Sequence, residues 1–234
     1  MITRTKENDF KYCLKGAAVI FIYFFFSICQ TFPFILLHIN YEILPSYIKI
    51  VYSLAVELLM ISIIFFIFDK ELKNAWQDLK KNHLNYFNKY LKYYIISVIV
   101  MVMANLCINI LGGGMSTNET TIRNEFQIFP LYTFISAVIL APILEESVFR
   151  LGFRSIISND FLFITISSLV FGGLHLISTP FNELFPLYLL SYCSCGIAFA
   201  YMLKKTNNIF VPMFFHFMHN GLILALQTFL FIFS

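Results

Sequence analysis

Two adjacent glutamates and an arginine stand at the end of a long apolar run, within residues 141–150. Charged side chains are costly in hydrocarbon, so an ionisable cluster in such a run is by default a functional hypothesis. Glu146 and Arg150 are four residues apart, which places them on one helix face, where they can form an ion pair. Glu145 is turned by about 100° from Glu146 and has no such local partner. The alternative interpretation is a salt bridge at a helix end, with a second, solvated glutamate.

Three histidines and an asparagine lie in the apolar runs that follow. His175 ends the segment Phe-Gly-Gly-Leu-His at 171–175, where two glycines allow neighbouring helices to approach closely. His216 and Asn220 are four residues apart and share a helix face. His219 is three residues from His216 and could share part of that face. Which of these two histidines faces a site is therefore left open.

Glutamate, histidine and asparagine together support the attack of water on a carbonyl group. A carboxylate in a water-poor site can act as a general base, and histidine or asparagine can donate hydrogen bonds to a developing oxyanion. Alternatively, Glu145, His175 and His216 could hold a catalytic zinc ion, which needs three protein ligands and one open position. The H-E-x-x-H signature of zinc proteases is absent from the sequence. A serine mechanism is weakly supported, because Ser147 has no histidine–acid pair nearby in the sequence.

The composition predicts a protein whose solvent is lipid. Of its 234 residues, 59% are hydrophobic and 12% are charged, whereas a soluble domain is nearer half apolar and a quarter charged. The net charge of +3 does not indicate nucleic-acid binding, because the basic residues fall in loops that flank the apolar runs. We therefore expect no nucleic-acid partner. The five cysteines fit neither a disulfide framework nor a cysteine zinc site.

Seven apolar runs predict an all-α, polytopic transmembrane helical bundle of about seven spans. A re-entrant helix near residues 150–158 would make an eighth. The predicted spans are 16–38, 47–68, 93–111, a fourth from residue 129, 161–177, 184–203 and 209–233. Residues 69–92 predict a basic amphipathic helix on the membrane surface, and residues 115–127 predict a polar, helix-poor loop.

The basic residues predict the orientation. With a cytoplasmic N-terminus and seven spans, all 16 lysines and arginines except Lys49 and Arg123 fall on the cytoplasmic side, as the positive-inside rule requires. The C-terminus is then outside. A cavity that serves the site should open toward the cytoplasm, where water and a polar peptide can enter.

Depth along the helices gives a partial check on convergence. At roughly 1.5 Å per residue, Glu145 and His216 lie about 10 Å from the cytoplasmic edge, and His175 lies roughly 20 Å along its helix. The three side chains can meet only if the fifth helix tilts or begins outside the membrane. Glu57, in the second span, should face the protein interior, a water-filled cavity or a partner.

Three motifs, in this order in successive spans, resemble the CPBP family, which comprises CAAX proteases and bacteriocin-processing enzymes and is also called Abi. The motifs are Glu145-Glu146-x-x-x-Arg150, Phe171-x-x-x-His175 and His216-x-x-x-Asn220. The resemblance covers about residues 125–230. It implies a CPBP-like catalytic transmembrane core in residues 126–234, preceded by N-terminal transmembrane helices in residues 1–125.

The resemblance also implies a role for each motif residue. Glu145 is expected to activate water, and Glu146 and Arg150 are expected to organise it. His175, His216 and Asn220 are expected to complete the site, either without a metal or with zinc. His219 is not part of the family pattern.

The leading hypothesis is an intramembrane endopeptidase acting on a membrane-associated peptide or protein within the bilayer of a bacterial plasma membrane. The alternative is a non-catalytic membrane regulator or bacteriocin-immunity protein that binds a membrane-protein partner. A third hypothesis is a small transporter that uses Glu57, Glu145 and the histidines as a proton path. The absence of an internal repeat in the sequence argues against it.

Overall fold

The computed structural model describes residues 6–233, and the side chains of residues 10–229. Arg4, one of the basic residues counted above, lies outside this part. The described chain is helical and contains no strand, which confirms the predicted all-α class. The α-helices are α1 (Lys6–Cys29), α2 (Phe32–Leu36), α3 (Ser46–Ile67), α4 (Asp69–Ile110), α5 (Thr117–Ile128), α6 (Pro130–Thr133), α7 (Ala141–Glu145), α8 (Phe153–Ile156), α9 (Asp160–Leu174), α10 (Phe185–Thr206) and α11 (Phe210–Phe233).

Two π-helical segments, Phe134–Leu140 and Glu146–Gly152, connect α6, α7 and α8. Together these five pieces form one irregular helix over residues 130–156, which we call the site helix. A single 3-10 turn, Tyr41–Ile43, lies between α2 and α3.

The outer surface of the bundle is apolar. Phe66, Ile110 and Phe181 are among many large apolar side chains that are largely exposed, as expected where lipid replaces water. Within the described residues, four helices are long and apolar enough to cross a membrane, namely α1 from Phe10, α3, α4 and α10, and α9 is a shorter apolar helix. These features are those of a helical membrane bundle.

The predicted surface helix at 69–92 is not a separate element. It continues without a break into the third span as α4, whose 42 residues extend over about 63 Å, roughly twice the thickness of the hydrocarbon core. The prediction of a break was wrong because no proline or glycine separates the basic and apolar halves of α4. The basic half is thus an extension of a spanning helix.

Asn208, just before α11, anchors this extension. Its side-chain nitrogen donates to Asp78 Oδ2 and to the carbonyl oxygen of Ala75, at 2.7 Å each. Burial opposes ionisation of Asp78, but hydrogen bonds from Asn208, Tyr86 and Asn82 outweigh it and hold the pKa of that carboxyl below its usual value.

The loop predicted at residues 115–127 is instead the helix α5. Ser116 caps its N-terminus, since the Ser116 hydroxyl accepts the backbone N–H of Glu119 at 3.2 Å. Serine followed three residues later by glutamate is a capping-box signature. Glu119 also pairs with Arg123, one turn later, at 2.8 Å. These two local interactions form a helix despite the poor helix propensity of the segment.

Two further boundaries differ from the predicted ones. Helix α1 begins at Lys6, so part of the polar N-terminal segment is helical, and it ends at Cys29 rather than near residue 38. Pro33 then stands in the first turn of α2, a position that proline favours. Helix α9 ends at Leu174, so His175 caps the helix instead of lying inside it.

The site helix is surrounded by the other long helices. Helix α1 packs on α8 and the second π-helical segment, α3 on α7, and α11 on the first π-helical segment. The closest approach is at Gly16, where a Cβ atom would lie 2.5 Å from the carbonyl oxygen of Gly152. Helix α10 packs most extensively on α4 and α9. The N-terminal helices therefore pack directly on the second half of the chain, and a domain division at residues 125 and 126 stays a prediction.

Basic side chains gather at one end of the bundle, which we call the basic end. Lys15, Lys70, Arg154 and Lys204 line one large cavity there. Lys15 pairs with Glu71 at 2.7 Å. This clustering agrees with the predicted concentration of positive charge on one side of the membrane.

Candidate active site

An unusual backbone positions the candidate site. In the first π-helical segment, the N–H of Ala141 bonds to the carbonyl oxygen of Ser136, five residues earlier. In the same register Ala137 would accept from residue 142, which is proline and has no N–H. The carbonyl of Ala137 therefore has no donor from the helix ladder. The side-chain nitrogen of Asn220 supplies one instead, at 2.7 Å.

Asn220 thus contacts the backbone eight residues before Glu145, and no contact to Glu145 is seen among the described residues. The sequence placed Asn220 on the same helix face as His216, and both side chains do face the site helix. Its observed partner, however, is the carbonyl exposed by Pro142.

The structure brings Glu145 together with two of the predicted histidines. Glu145 Oε1 lies 3.9 Å from His175 Nε2, and Glu145 Oε2 lies 3.6 Å from His216 Nε2. These separations are too long for direct hydrogen bonds. They lie within the reach of one shared water molecule, which would make hydrogen bonds of about 2.6–3.2 Å. The three side chains therefore meet despite the depth difference expected from the sequence.

The second nitrogen of each histidine is already occupied. His175 Nδ1 lies 2.8 Å from the carbonyl oxygen of Phe171. A carbonyl can only accept, so Nδ1 carries the hydrogen, and Nε2 of the neutral ring offers its lone pair toward Glu145. His216 Nδ1 likewise donates to Glu146 Oε1 at 3.0 Å. Both rings are therefore fixed with Nε2 toward the same carboxylate.

Glu146 and Arg150 form the predicted pair and are completely buried, with 0% exposure of either side chain. The Glu146 Oε2 to Arg150 Nε distance is 3.2 Å, which is an ion pair by distance. The same two atoms have no hydrogen-bond partner of acceptable angle, so the attraction is mainly coulombic. Arg150 Nη1 donates to Ser167 Oγ at 3.1 Å, and Ser167 donates to the carbonyl oxygen of Phe149 at 2.6 Å. A chain of contacts therefore leads from the Ser167 hydroxyl on α9 through Arg150 and Glu146 to His216.

Aromatic rings surround the polar cluster. Phe171 lies beneath the Arg150 guanidinium at 4.7 Å and beside both imidazoles. Tyr192 stacks on His175 with ring centroids 4.9 Å apart, and its hydroxyl is held by Ser116 at 2.6 Å. Phe199 stacks on His216 at 5.0 Å. The rings exclude water and limit rotation of the imidazoles.

Sequence reasoning did not identify Ser167, Tyr192 or Phe199. Ser167 and Tyr192 were polar side chains inside apolar runs, which was the only available signal. Phe199 carried no signal that would distinguish it from the many other phenylalanines.

His219 lies outside the cluster. Its Nδ1 is 3.3 Å from the Tyr94 hydroxyl, and its Nε2 is 3.8 Å from Cys195 Sγ. The open choice between the neighbouring histidines is thereby settled in favour of His216 as the one that approaches Glu145.

Glu145 also lines a cavity of about 220 Å³, together with Tyr23, Gln30, Ser53 and Glu57. None of the lining residues of this cavity is a histidine or an asparagine, and a cavity lined by these residue types stays a prediction. Gln30 follows the C-terminal end of α1, roughly 22 Å along the chain from Lys15. This cavity therefore extends away from the basic end, and the side toward which the candidate site opens stays a prediction.

Glu145, His175 and His216 were the candidate metal ligands. In the part of the chain that the structure describes, no group of three or more His, Cys, Asp or Glu side chains is arranged to hold a metal ion. A metal-binding role for Glu145, His175 and His216 stays a prediction, and no step below passes through a metal ion.

Fold and site together define a helical membrane protein with a buried glutamate–histidine cluster. Residues 127–222 match the family model described as "Type II CAAX prenyl endopeptidase Rce1-like". This match confirms the family resemblance drawn from the three motifs: residues 127–222 are similar to the Rce1-like family.

A protein of Bacillus subtilis (strain 168) described as "Putative membrane peptidase YdiL" is 33% identical over 118 residues. The aligned part covers 49% of this chain and 45% of that protein, so the chain spans about half the length of this relative. No solved structure matches the chain. The family and the apolar helices make it an integral membrane protein, whereas the plasma membrane and the orientation of the termini stay predictions.

Proposed function

We propose that this chain is an intramembrane endopeptidase that hydrolyses a peptide bond of a membrane-associated peptide or protein. The observation that carries the proposal is the approach of both histidine Nε2 atoms to the Glu145 carboxylate, at 3.9 and 3.6 Å. A carboxylate and two imidazole acceptors around one small space are suited to hold and deprotonate water. The Rce1-like domain and the membrane peptidase relative support the same reaction class.

In the proposed reaction, a water molecule donates one hydrogen bond to Glu145 and the other to a histidine Nε2. Glu145 accepts a proton as the water oxygen bonds to the scissile carbonyl carbon. The proton then passes from Glu145 to the amide nitrogen, and the C–N bond breaks. The products are a carboxylic acid and an amine, so no further reactant is needed.

The remaining motif residues are proposed to position this pair of groups. Glu146 fixes the orientation of His216, and Arg150 neutralises Glu146 in its fully buried position. Asn220 is proposed to act on the backbone, because it satisfies the Ala137 carbonyl and so supports the π-helical segment that leads to Glu145. This role differs from the direct place in the site that the family resemblance implied.

The experiment compares peptide termini in membranes of cells that produce equal amounts of wild type, Glu145→Gln or Glu42→Gln. Glu42 is exposed and far from the cluster in sequence, which makes it a matched carboxylate control. New termini should appear with wild type and with Glu42→Gln, and be absent with Glu145→Gln. Identical termini in all three would contradict an endopeptidase. If the biological effect of the protein also survives in Glu145→Gln, the non-catalytic regulator becomes the better explanation.

A further inference from the structure

Glu57 is a membrane-embedded carboxylate that the proposed reaction does not use. It lies in the middle of α3 and is half-buried. Its Oε1 accepts a hydrogen bond from Ser136 at 2.9 Å. Its Oε2 is buried and has no hydrogen-bond partner among the described residues. A buried carboxylate oxygen without a donor is costly, so its retention here needs a reason.

The cavity beside Glu145 offers a reason for keeping this carboxylate, because Glu57 and Glu145 both line the cavity. Within the described lining there is no lysine, arginine or histidine, and no ion pair to Glu57 is found in the described part of the bundle. Two acidic groups in one small cavity, surrounded by apolar helices, create a negative potential that a cation would relieve. Ser27, Gln30 and Ser53 also line the cavity and add polar side chains to it.

The position of Glu57 is also fixed relative to the candidate catalytic carboxylate. Its partner Ser136 belongs to the first π-helical segment, and the carbonyl of Ser136 accepts from Ala141 in the short helix that ends at Glu145. A group held by Glu57 would therefore be held at a defined separation from Glu145. Such a fixed separation is what a specificity subsite requires.

We propose that the Glu57 end of this cavity is a subsite for a lysine or arginine side chain of the bound peptide. The long apolar stem of such a side chain would lie in the cavity that Tyr23 and Met60 line, and its charged end would pair with the Glu57 carboxylate. The peptide bond near that residue would then lie at Glu145. This inference rests on the proposed function, but the binding step can be measured without cleavage.

The test uses detergent-solubilised full-length protein carrying Glu145→Gln, so that bound peptide is not consumed. The probes are fluorescent apolar peptides that differ at one position only, which carries lysine, norleucine or glutamate and is moved along the peptide one residue at a time. At one or more positions the lysine peptide should bind at least tenfold more tightly than the norleucine peptide. Adding Glu57→Gln should reduce that ratio to about one, whereas adding Glu42→Gln should leave it unchanged.

Equal affinity for lysine and norleucine peptides at every position would overturn the inference, as would a lysine preference that survives Glu57→Gln. If Glu57→Gln does not fold, Ser136→Ala serves as the second variant. It removes the hydrogen bond that positions the carboxylate, so the lysine preference should fall in a folded Ser136→Ala protein, and an unchanged preference would count against the proposal.

Cleavage of the same peptides by the wild type separates the two proposals. Cleavage without a lysine preference would contradict the proposed subsite and support the proposed endopeptidase activity. A lysine preference in binding, with no cleavage by the wild type, would support the subsite and contradict the endopeptidase activity.

Discussion

The buried pair of Glu146 and Arg150 gives the sharpest test of how the site is built. Both side chains have 0% exposure, so neither charge can be rehydrated when its partner is removed. Breaking a buried pair from one side costs about 3–5 kcal/mol, which in a chain of this size is a fall in Tm of roughly 6–20 °C. Arg150→Met and Glu146→Gln should each show a loss of this order.

The double variant should lose much less than the sum of the two. With both charges removed, no ion is stranded, and replacing a buried pair with neutral groups is often close to neutral in energy. The glutamine side-chain oxygen can still accept the hydrogen bond from His216 Nδ1. Thermal unfolding of the four proteins in one detergent gives the double-mutant cycle, and we expect a coupling energy of about 2 kcal/mol or more.

Arg123 and Glu119 provide a control with the same chemistry and spacing. They are four residues apart at 2.8 Å, but their side chains are 39% and 28% exposed. Water and salt screen such a pair, so the cycle of Arg123→Met and Glu119→Gln should give a coupling of only about 0.5 kcal/mol. The reasoning is refuted if the Glu146–Arg150 cycle is additive, or if its coupling is no larger than that of the control.

Three further predictions concern neighbouring residues that the structure distinguishes. Gly172→Ala should lower Tm, because the added Cβ would lie 2.6 Å from Cys193 Sγ on α10. Gly173→Ala should keep or slightly raise Tm, because its added Cβ would have no neighbour within 4 Å. Equal effects of the two substitutions on Tm would contradict this prediction. Asn220→Ala leaves a carbonyl without a donor and should cost about 1–3 kcal/mol of unfolding free energy. Asn220→Leu, which has a similar volume and no donor, should not rescue it, and a stable Leu variant would disprove the capping role. His216→Gln should abolish cleavage in proteoliposomes while His219→Gln retains it, and the reverse result would reassign the histidines.

Apolar runs were sufficient to predict the long helices, because burial in lipid leaves helices as the only way to satisfy the backbone. Boundaries failed where a local interaction outweighed composition. Ser116 starts a helix in a polar segment through a single cap, and α4 continues across a change in polarity because no residue interrupts it. These two cases were readable in principle, since the capping signature and the lack of a breaker are both in the sequence.

The candidate site was predictable as a set of residues but not as a network. Helical spacing predicted that Glu146 pairs with Arg150, and the order of the motifs predicted that Glu145 meets His175 and His216. The bond from Asn220 to Ala137 depends on a π-helical register and on the packing of α11 against it. Neither can be read from spacing, because an apolar sequence is compatible with both α and π registers.

Adjacent carboxylates with different surroundings offer a physical basis for different roles. Glu146 is completely enclosed, with an imidazole N–H on one oxygen and a guanidinium on the other. These contacts stabilise its charge and leave it no room to bind water or substrate. Glu145 is 17% exposed, lines a cavity and faces two imidazole lone pairs. Among the described residues no lysine or arginine side chain forms an ion pair with Glu145, and the proposed proton exchange with a water molecule uses this partly exposed carboxylate. The sequence places the two carboxylates next to each other, and the helix buries Glu146 completely while it leaves Glu145 partly exposed, which is the basis of the different roles proposed for them.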